Sequence, residues 1–245
     1  MKNIAKNIPN AITCCNLISG CIAIVNAFMG NVELALMWIV IGATFDFFDG
    51  MSARLLKVSS PIGKELDSLA DVVTFGIAPS TMIFYELSIV SYPSFLQSSQ
   101  LFGLPLSSLI PYLAYLMAAF SALRLAKFNI DTRQSESFIG LPTPANALFW
   151  GSLIVTNPLW LEAHPYSFLM ILTFMLFSSF LLVSEIPMFA LKFKHWGWRV
   201  NKIRYSFMIL TVMTLAIFGL LKGWWIVILY YFCISLILWY FKKEK

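Results

Sequence analysis

The chain has 245 residues, of which 59% are hydrophobic and only 12% charged, with a formal net charge of +5. A soluble domain of this length needs roughly twice that charge density to cover its surface, and its apolar runs approach or exceed the roughly 20 residues that cross a bilayer. Composition therefore excludes a large soluble α/β fold, gives no sign of nucleic-acid binding, and points to an all-α polytopic membrane protein.

Eight apolar segments are expected, at about 11–29, 33–52, 66–90, 107–126, 145–159, 166–190, 206–221 and 224–241. The first follows Lys2 and Lys6; it is long for a signal sequence and reads as a retained span. With alternating spans and a cytoplasmic start, the inside segments hold Lys2 and Lys6; Arg54, Lys57 and Lys64; Arg124, Lys127 and Arg133; Lys192, Lys194, Arg199, Lys202 and Arg204; and Lys242, Lys243 and Lys245. Of the 17 basic residues only Lys222 falls outside. Cations concentrate in cytoplasmic loops, so this split predicts an even number of spans with both termini in the cytoplasm. The net positive charge is then a matter of topology.

The outside connections "SYPSFLQSSQLFGLP" and "TNPLWLEAHPYS" are rich in turn-forming and aromatic residues and carry no evident chemistry. Cys14, Cys15, Cys21 and Cys233 form no CxxC pair and lie in apolar segments, where they are expected to be small buried side chains without disulfide or metal. His164 and His195 stand alone in loops and form no ligand cluster.

The exception to this oily pattern is "DFFDGMSARLLKVSSPIGKELDSLAD", which places Asp46, Asp49, Asp67 and Asp71 at the inner ends of the second and third spans. At about 100° per residue, Asp46, Asp49, Gly50, Ala53 and Arg54 fall within an arc of roughly 140°, and Gly63, Asp67 and Asp71 within roughly 80°. Each helix offers a face with two carboxylates and at least one small residue. Pro61 marks the start of the third helix, so the two faces can meet across a short turn. An acid at membrane depth costs about 2.5 to 3.5 kcal/mol on insertion scales, and like charges repel, so something must neutralise the group. Three readings account for it: an ion network with Arg54 and Lys64, a proton or cation pathway, or oxygen ligands for divalent cations that meet a substrate phosphate.

The spacing of these residues matches the signature of the CDP-alcohol phosphatidyltransferase family, D-x2-D-G-x2-A-R-x8-G-x3-D-x3-D. "IPNAITCCNLISG", "GKELDSLADVVTFGIAPS", "ALRLAKFN", "FIGLPTPA" and "LLVSEIP" further resemble its membrane-bound, serine-transferring branch, over about residues 1–190. The resemblance implies a six-helix membrane core, with residues 191–245 adding a loop and two further helices to the same domain, and a homodimer in a bacterial cytoplasmic membrane. It implies transfer of the phosphatidyl group of CDP-diacylglycerol to the hydroxyl of L-serine, with release of CMP. Asp46, Asp49, Asp67 and Asp71 would hold Mg2+ or Mn2+, with Asp71 also accepting the hydroxyl proton. Gly50, Ala53, Arg54 and Gly63 would bind CDP-diacylglycerol. Other family acceptors are glycerol phosphate and inositol phosphate, and a cation transporter is the rival from another class.

Arg124 and Lys127 read either as topology-setting cations or as ligands for a phosphate or the serine carboxylate. Lys192 reads as a lipid-phosphate contact or as a snorkelling side chain. "GLPTPAN" is a loop-to-helix turn that the resemblance places at the acceptor pocket, and Asn16 is either satisfied in the core or turned towards the nucleotide.

Overall fold

The computed structural model describes residues 2–58, 60–131, 138–156, 164, 166–189 and 197–243. The protein is an all-α membrane protein, with two-residue strands as its only sheet among the described residues. Helices α1 (Lys2–Phe28) and α2 (Val32–Leu56) form an antiparallel pair. A central helix runs unbroken from Pro61 to Ile89 and comprises α3 (Pro61–Asp71), a π-helical turn (Val72–Ile77) and α4 (Ala78–Ile89). After the short α5 (Ser94–Ser98), strands β1 (Gln100–Leu101) and β2 (Leu104–Pro105) form a hairpin. Positive φ at Phe102 and Gly103 fits the two-residue turn that matches strand twist.

The next span, Leu106–Ile130, joins α6 (Leu106–Leu109), a 3-10 turn and α7 (Tyr115–Ile130). Then come β3 (Phe138–Ile139), α8 (Thr143–Thr156), α9 (Ser167–Val183), β4 (Pro187–Met188), α10 (Trp198–Phe218) and α11 (Trp224–Lys243). The antiparallel pairing of β3 with β4 brings the start of α8 beside the end of α9.

Each of the eight expected segments contains a helix, but only five helices among the described residues are long and apolar enough to cross a membrane. Helix α8 has 14 described residues and α9 has 17, while α10 carries Arg199, Lys202 and Arg204 in its first two turns.

Two turns between helices use the same device. Gly30, at φ 77°, donates to Ala27 O while Asn31 donates to Asn26 O; Lys57, at φ 52°, donates to Arg54 O while Val58 donates to Ala53 O. Both are helix ends closed by a left-handed residue, and at the second a lysine takes the place glycine usually fills.

Helix α1 turns a stripe of small and polar residues inward: Thr13, Asn16, Ser19, Gly20, Ala23 and Ala27 are buried. Its apolar residues face outward, as membrane helices require when the surroundings are lipid and contact depends on small side chains. The same logic corrects the reading of the cysteines. Cys14, Cys15, Cys21 and Cys233 are free and exposed on the outer faces of their helices. Being apolar directs a residue inward in water, but not in a bilayer.

Candidate active site

At the end of the bundle that carries Arg54, Lys57 and Lys64, the turn between α2 and α3 is held by Ser60. Its hydroxyl accepts from the Gly63 N–H at 3.0 Å, and Pro61 occupies the first helical position. This cap fixes the angle at which α3 leaves, and so where Asp67 points. The Lys64 Nζ donates to Asn129 O at 2.8 Å, and the Asn129 side chain donates to the Ser68 hydroxyl at 2.8 Å, which ties α3 to the end of α7.

Asp46 and Asp49 of α2 and Asp67 of α3 each bring one carboxylate oxygen within 4.8 Å of the others. Asp49 is buried, and Thr13 of α1 donates to its Oδ2 at 2.6 Å. That hydroxyl also lies 3.0 Å from Pro9 O, but it has one proton to give and the shorter contact is to the carboxylate. Asp71, one helical turn beyond Asp67, lies outside the three-oxygen group yet within electrostatic reach of Asp46, Asp67 and Asp49. It is buried, and its Oδ1 accepts from Asn16 Nδ2 at 3.2 Å.

A cavity of about 210 Å³ opens beside the acids, lined by Pro9, Asn10, Thr13, Asp49, Gly50, Ala53, Val58, Ser60, Gly63, Lys64 and Asp67. The two glycines do different work there. A Cβ on Gly50 would meet no atom within 4 Å, so it would project into the cavity itself. A Cβ on Gly63 would meet Asn10 Oδ1 at 2.9 Å and Ser60 Oγ at 3.0 Å, so this glycine permits the close approach of α1 to α3.

The other expected residues are distributed unevenly. Arg54 is exposed and does not line this cavity. Arg124 is buried on α7, near Asp71 and Tyr231, with its guanidinium 5.5 Å over the Phe128 ring. One nitrogen donates to Thr143 Oγ1 at 3.3 Å, while its Nε is buried without a hydrogen-bond partner. The guanidinium is buried, whereas a cation needed only to set orientation would sit in the headgroups. Lys127 is exposed and joins Arg124, Asp131, Ser184 and Glu185 around a small cavity of about 30 Å³. Lys192, Arg133, Lys194 and His195 lie outside the described residues, as does most of "TNPLWLEAHPYS"; His164 is exposed.

The "GLPTPAN" turn builds the floor behind Arg124. Gly140 has φ 76°, and a Cβ there would collide with carbonyl oxygens at the end of α9, including Leu182 O and Ser184 O. Gly140 N–H donates to Ile186 O and Leu141 N–H to Leu181 O, both at 2.9 Å. Asn146 directs its Nδ2 to Met117 Sδ at 3.1 Å.

A profile of the CDP-alcohol phosphatidyltransferase family matches residues 6–239. The chain belongs to this family. It is 41% identical over 137 residues to the CDP-diacylglycerol–serine O-phosphatidyltransferase of Bacillus subtilis (strain 168), covering 56% of this chain and 69% of that one. The protein of the same name from Helicobacter pylori (strain ATCC 700392 / 26695) is 33% identical over 182 residues, 74% of this chain and 68% of that one. The one from Methanocaldococcus jannaschii is 34% identical over 141 residues, 58% and 57% respectively.

The family uses divalent cations, and the residues present fit such an ion. The donors are all carboxylate oxygens lying within 4.8 Å of one another, the hard oxygen set that Mg2+ and Mn2+ prefer. Asp67 Oδ1 is buried and has no hydrogen-bond partner, which leaves an orphaned acceptor on one member of the group. In the sequence Thr13, Asn10 and Ser60 have no individual role, and Thr143 has only its place in the "GLPTPAN" turn. The signal for Thr13 was present: with Asn16 it forms an i, i+3 polar pair on the inward stripe of an otherwise apolar helix.

Proposed function

We propose that the protein transfers the phosphatidyl group of CDP-diacylglycerol to the hydroxyl of L-serine, giving phosphatidylserine and CMP. The observation that carries this reading is the three-carboxylate group opening onto a cavity into which Gly50 leaves room for a ligand. A lipid diphosphate is the substrate type such a site suits, since acids reject an anion unless cations stand between them. Serine as the acceptor is supported by the names of the relatives in Bacillus subtilis and Helicobacter pylori.

In this mechanism Asp46, Asp49, Asp67 and Asp71 hold Mg2+ or Mn2+, which when bound neutralises the diphosphate and the departing CMP. The backbone at Gly50, Ala53 and Gly63 lets cytidine and diphosphate lie against α2 and α3, and Arg54, next in the chain to the cavity-lining Ala53, pairs with phosphate. The serine oxygen attacks the β-phosphorus; the new P–O bond forms as the bond to the bridging oxygen breaks, and CMP leaves with that electron pair. Asp71 takes the hydroxyl proton, for a serine hydroxyl is a weak nucleophile at neutral pH and needs a base within hydrogen-bond reach. Direct attack is favoured over a covalent intermediate because, among the described residues, no histidine or cysteine joins the acids, and Lys64, which lines the cavity, gives its ammonium to Asn129 O. Arg124 and Lys127 bind the acceptor carboxylate or a phosphate, and Lys192 a lipid phosphate.

Residues 1–190 form the catalytic core, and 191–245 complete the same domain. The distribution of basic residues supports a site and termini facing the cytoplasm of a bacterial inner membrane, and the family resemblance supports a homodimer. Membranes containing the protein, given CDP-diacylglycerol, labelled serine and Mg2+ or Mn2+, are expected to form phosphatidylserine. Product with glycerol phosphate or inositol phosphate but not with serine would move the proposal to another acceptor within the family.

A further inference from the structure

Directly after Asp71 the central helix widens into the π turn Val72–Ile77, where the Ala78 N–H reaches back to Val73 O. Such turns are rare, often mark functional sites, and need neighbours to hold them. Here three helices do so. The buried Thr74 donates its hydroxyl to Asn16 O of α1 at 3.0 Å. Gly20 and Gly42 form the slot that Thr74 fills: a Cβ on Gly20 would meet Thr74 Cα at 2.8 Å, and a Cβ on Gly42 would meet Thr74 Cγ2 at 2.5 Å. On the α7 side, Gly76 lies where a Cβ would meet the Ser121 Cβ at 3.2 Å.

Asn16 joins this wedge to the acid. Its backbone carbonyl receives the Thr74 hydroxyl and its side-chain Nδ2 donates to Asp71 Oδ1, while its own Oδ1 is fully buried without a hydrogen-bond partner. An asparagine with one end orphaned in a buried interface is a poor packing residue, because an apolar side chain would fill the space without leaving an acceptor unpaired. The donor is the part the site uses.

We infer that Asn16, held in place by Thr74 in the π turn, is a positioning residue that orients the Asp71 carboxylate for the acceptor hydroxyl. Asn16 occupies one carboxylate oxygen from the α1 side, which leaves the proton to the other. The wedge between Gly20 and Gly42 prevents Asp71 from rotating with a relaxed helix. This inference rests on Asp71 being the proton acceptor, so the test includes Asp71 itself.

Wild type, Asn16→Ala, Thr74→Val, Thr74→Ser and Asp71→Asn, all as full chains in detergent, are compared in turnover, CMP affinity and thermal midpoint. Asn16→Ala and Thr74→Val are expected to lower turnover about 10- to 100-fold, the range seen when a group that orients a ligand is removed. CMP affinity should stay within about twofold, which locates the loss in the chemical step. Thr74→Ser, which keeps the hydroxyl, is expected to recover most of the turnover, and the thermal midpoint of Asn16→Ala is expected to stay level or rise. Wild-type turnover in Asn16→Ala beside an inactive Asp71→Asn overturns the positioning role alone. Equal losses of turnover and CMP affinity in Asn16→Ala, or no recovery in Thr74→Ser, also overturn it. Wild-type turnover in Asp71→Asn overturns the base reading beneath it.

Discussion

Between α1, α2 and the central helix, contact is made by glycine, threonine and asparagine: Gly20 and Gly42 admit Thr74, and Thr13 and Asn16 reach Asp49 and Asp71. Between α10 and α11, contact is made mostly by rings, with Phe207 at 5.4 Å from Tyr230 and 5.8 Å from Tyr231, beside one hydroxyl pair, Thr211 and Tyr230, at 2.8 Å. A cavity of about 400 Å³ remains there, lined by Phe207, Val212, Trp224, Val227 and other apolar side chains. In lipid the hydrophobic effect does not press helices together, so close approach depends on small residues and hydrogen bonds. The first interface has both and fixes four acids in space; the second has mostly bulk and leaves room. Substitutions should therefore be costly in the first and tolerated in the second.

The largest expected effect is in the tight region. Asp71→Asn should lower turnover on the order of 1,000-fold, within the range for a lost general base, while CMP binding remains measurable by calorimetry. Next come the two glycines of the cavity, which separate ligand space from packing space. Gly50→Ala should raise the KM for CDP-diacylglycerol on the order of tenfold with the thermal midpoint unchanged, because the added methyl meets only the cavity. Gly63→Ala should lower the midpoint as well, since its methyl strikes Asn10 and Ser60.

A smaller loss is expected at the helix start. Ser60→Ala removes the cap on Gly63 N–H and should cost about 1 kcal/mol in thermal or denaturant unfolding. The smallest effects belong to the far side. Val212→Leu grows into the apolar cavity and should change turnover by less than about twofold. Lys222→Ala removes an exposed pair with Glu33 at 3.9 Å and should change stability by less than about 1 kcal/mol. A strong loss of turnover in Val212→Leu would break the contrast between the two regions.

Much of the tight region was legible in the sequence. Acids at helical spacing, with small residues between them and a proline at the next helix start, placed two faces together at one depth, and the structure brings Asp46, Asp49 and Asp67 into one group. What escaped notice depends on contacts far apart in the chain. Asn16 and Asp71 are 55 positions apart, and no local pattern announces that pairing. The π turn arises in "VVTFGI", whose β-branched residues look like any apolar membrane stretch; Gly20 and Gly42, which lie against its Thr74, belong to other helices. The exposed cysteines and the exposed Arg54 share a further lesson. Periodicity gives the angle between residues on a helix, but the angle of the whole helix to its neighbours comes from packing. For the same reason the hydropathy of α8, α9 and α10 located helices without fixing how many cross the membrane.

The proposed reaction requires the acidic group to work with divalent cations on a lipid diphosphate. Its most direct measurement is the release of CMP and the formation of phosphatidylserine by the purified protein in liposomes containing CDP-diacylglycerol, with labelled serine and with Mg2+, Mn2+ or a chelator. Equal amounts of both products are expected with either or both cations, none with the chelator, and none above background for Asp67→Asn. Product formation undiminished by the chelator, or cation flux without CMP release under every condition, would contradict it.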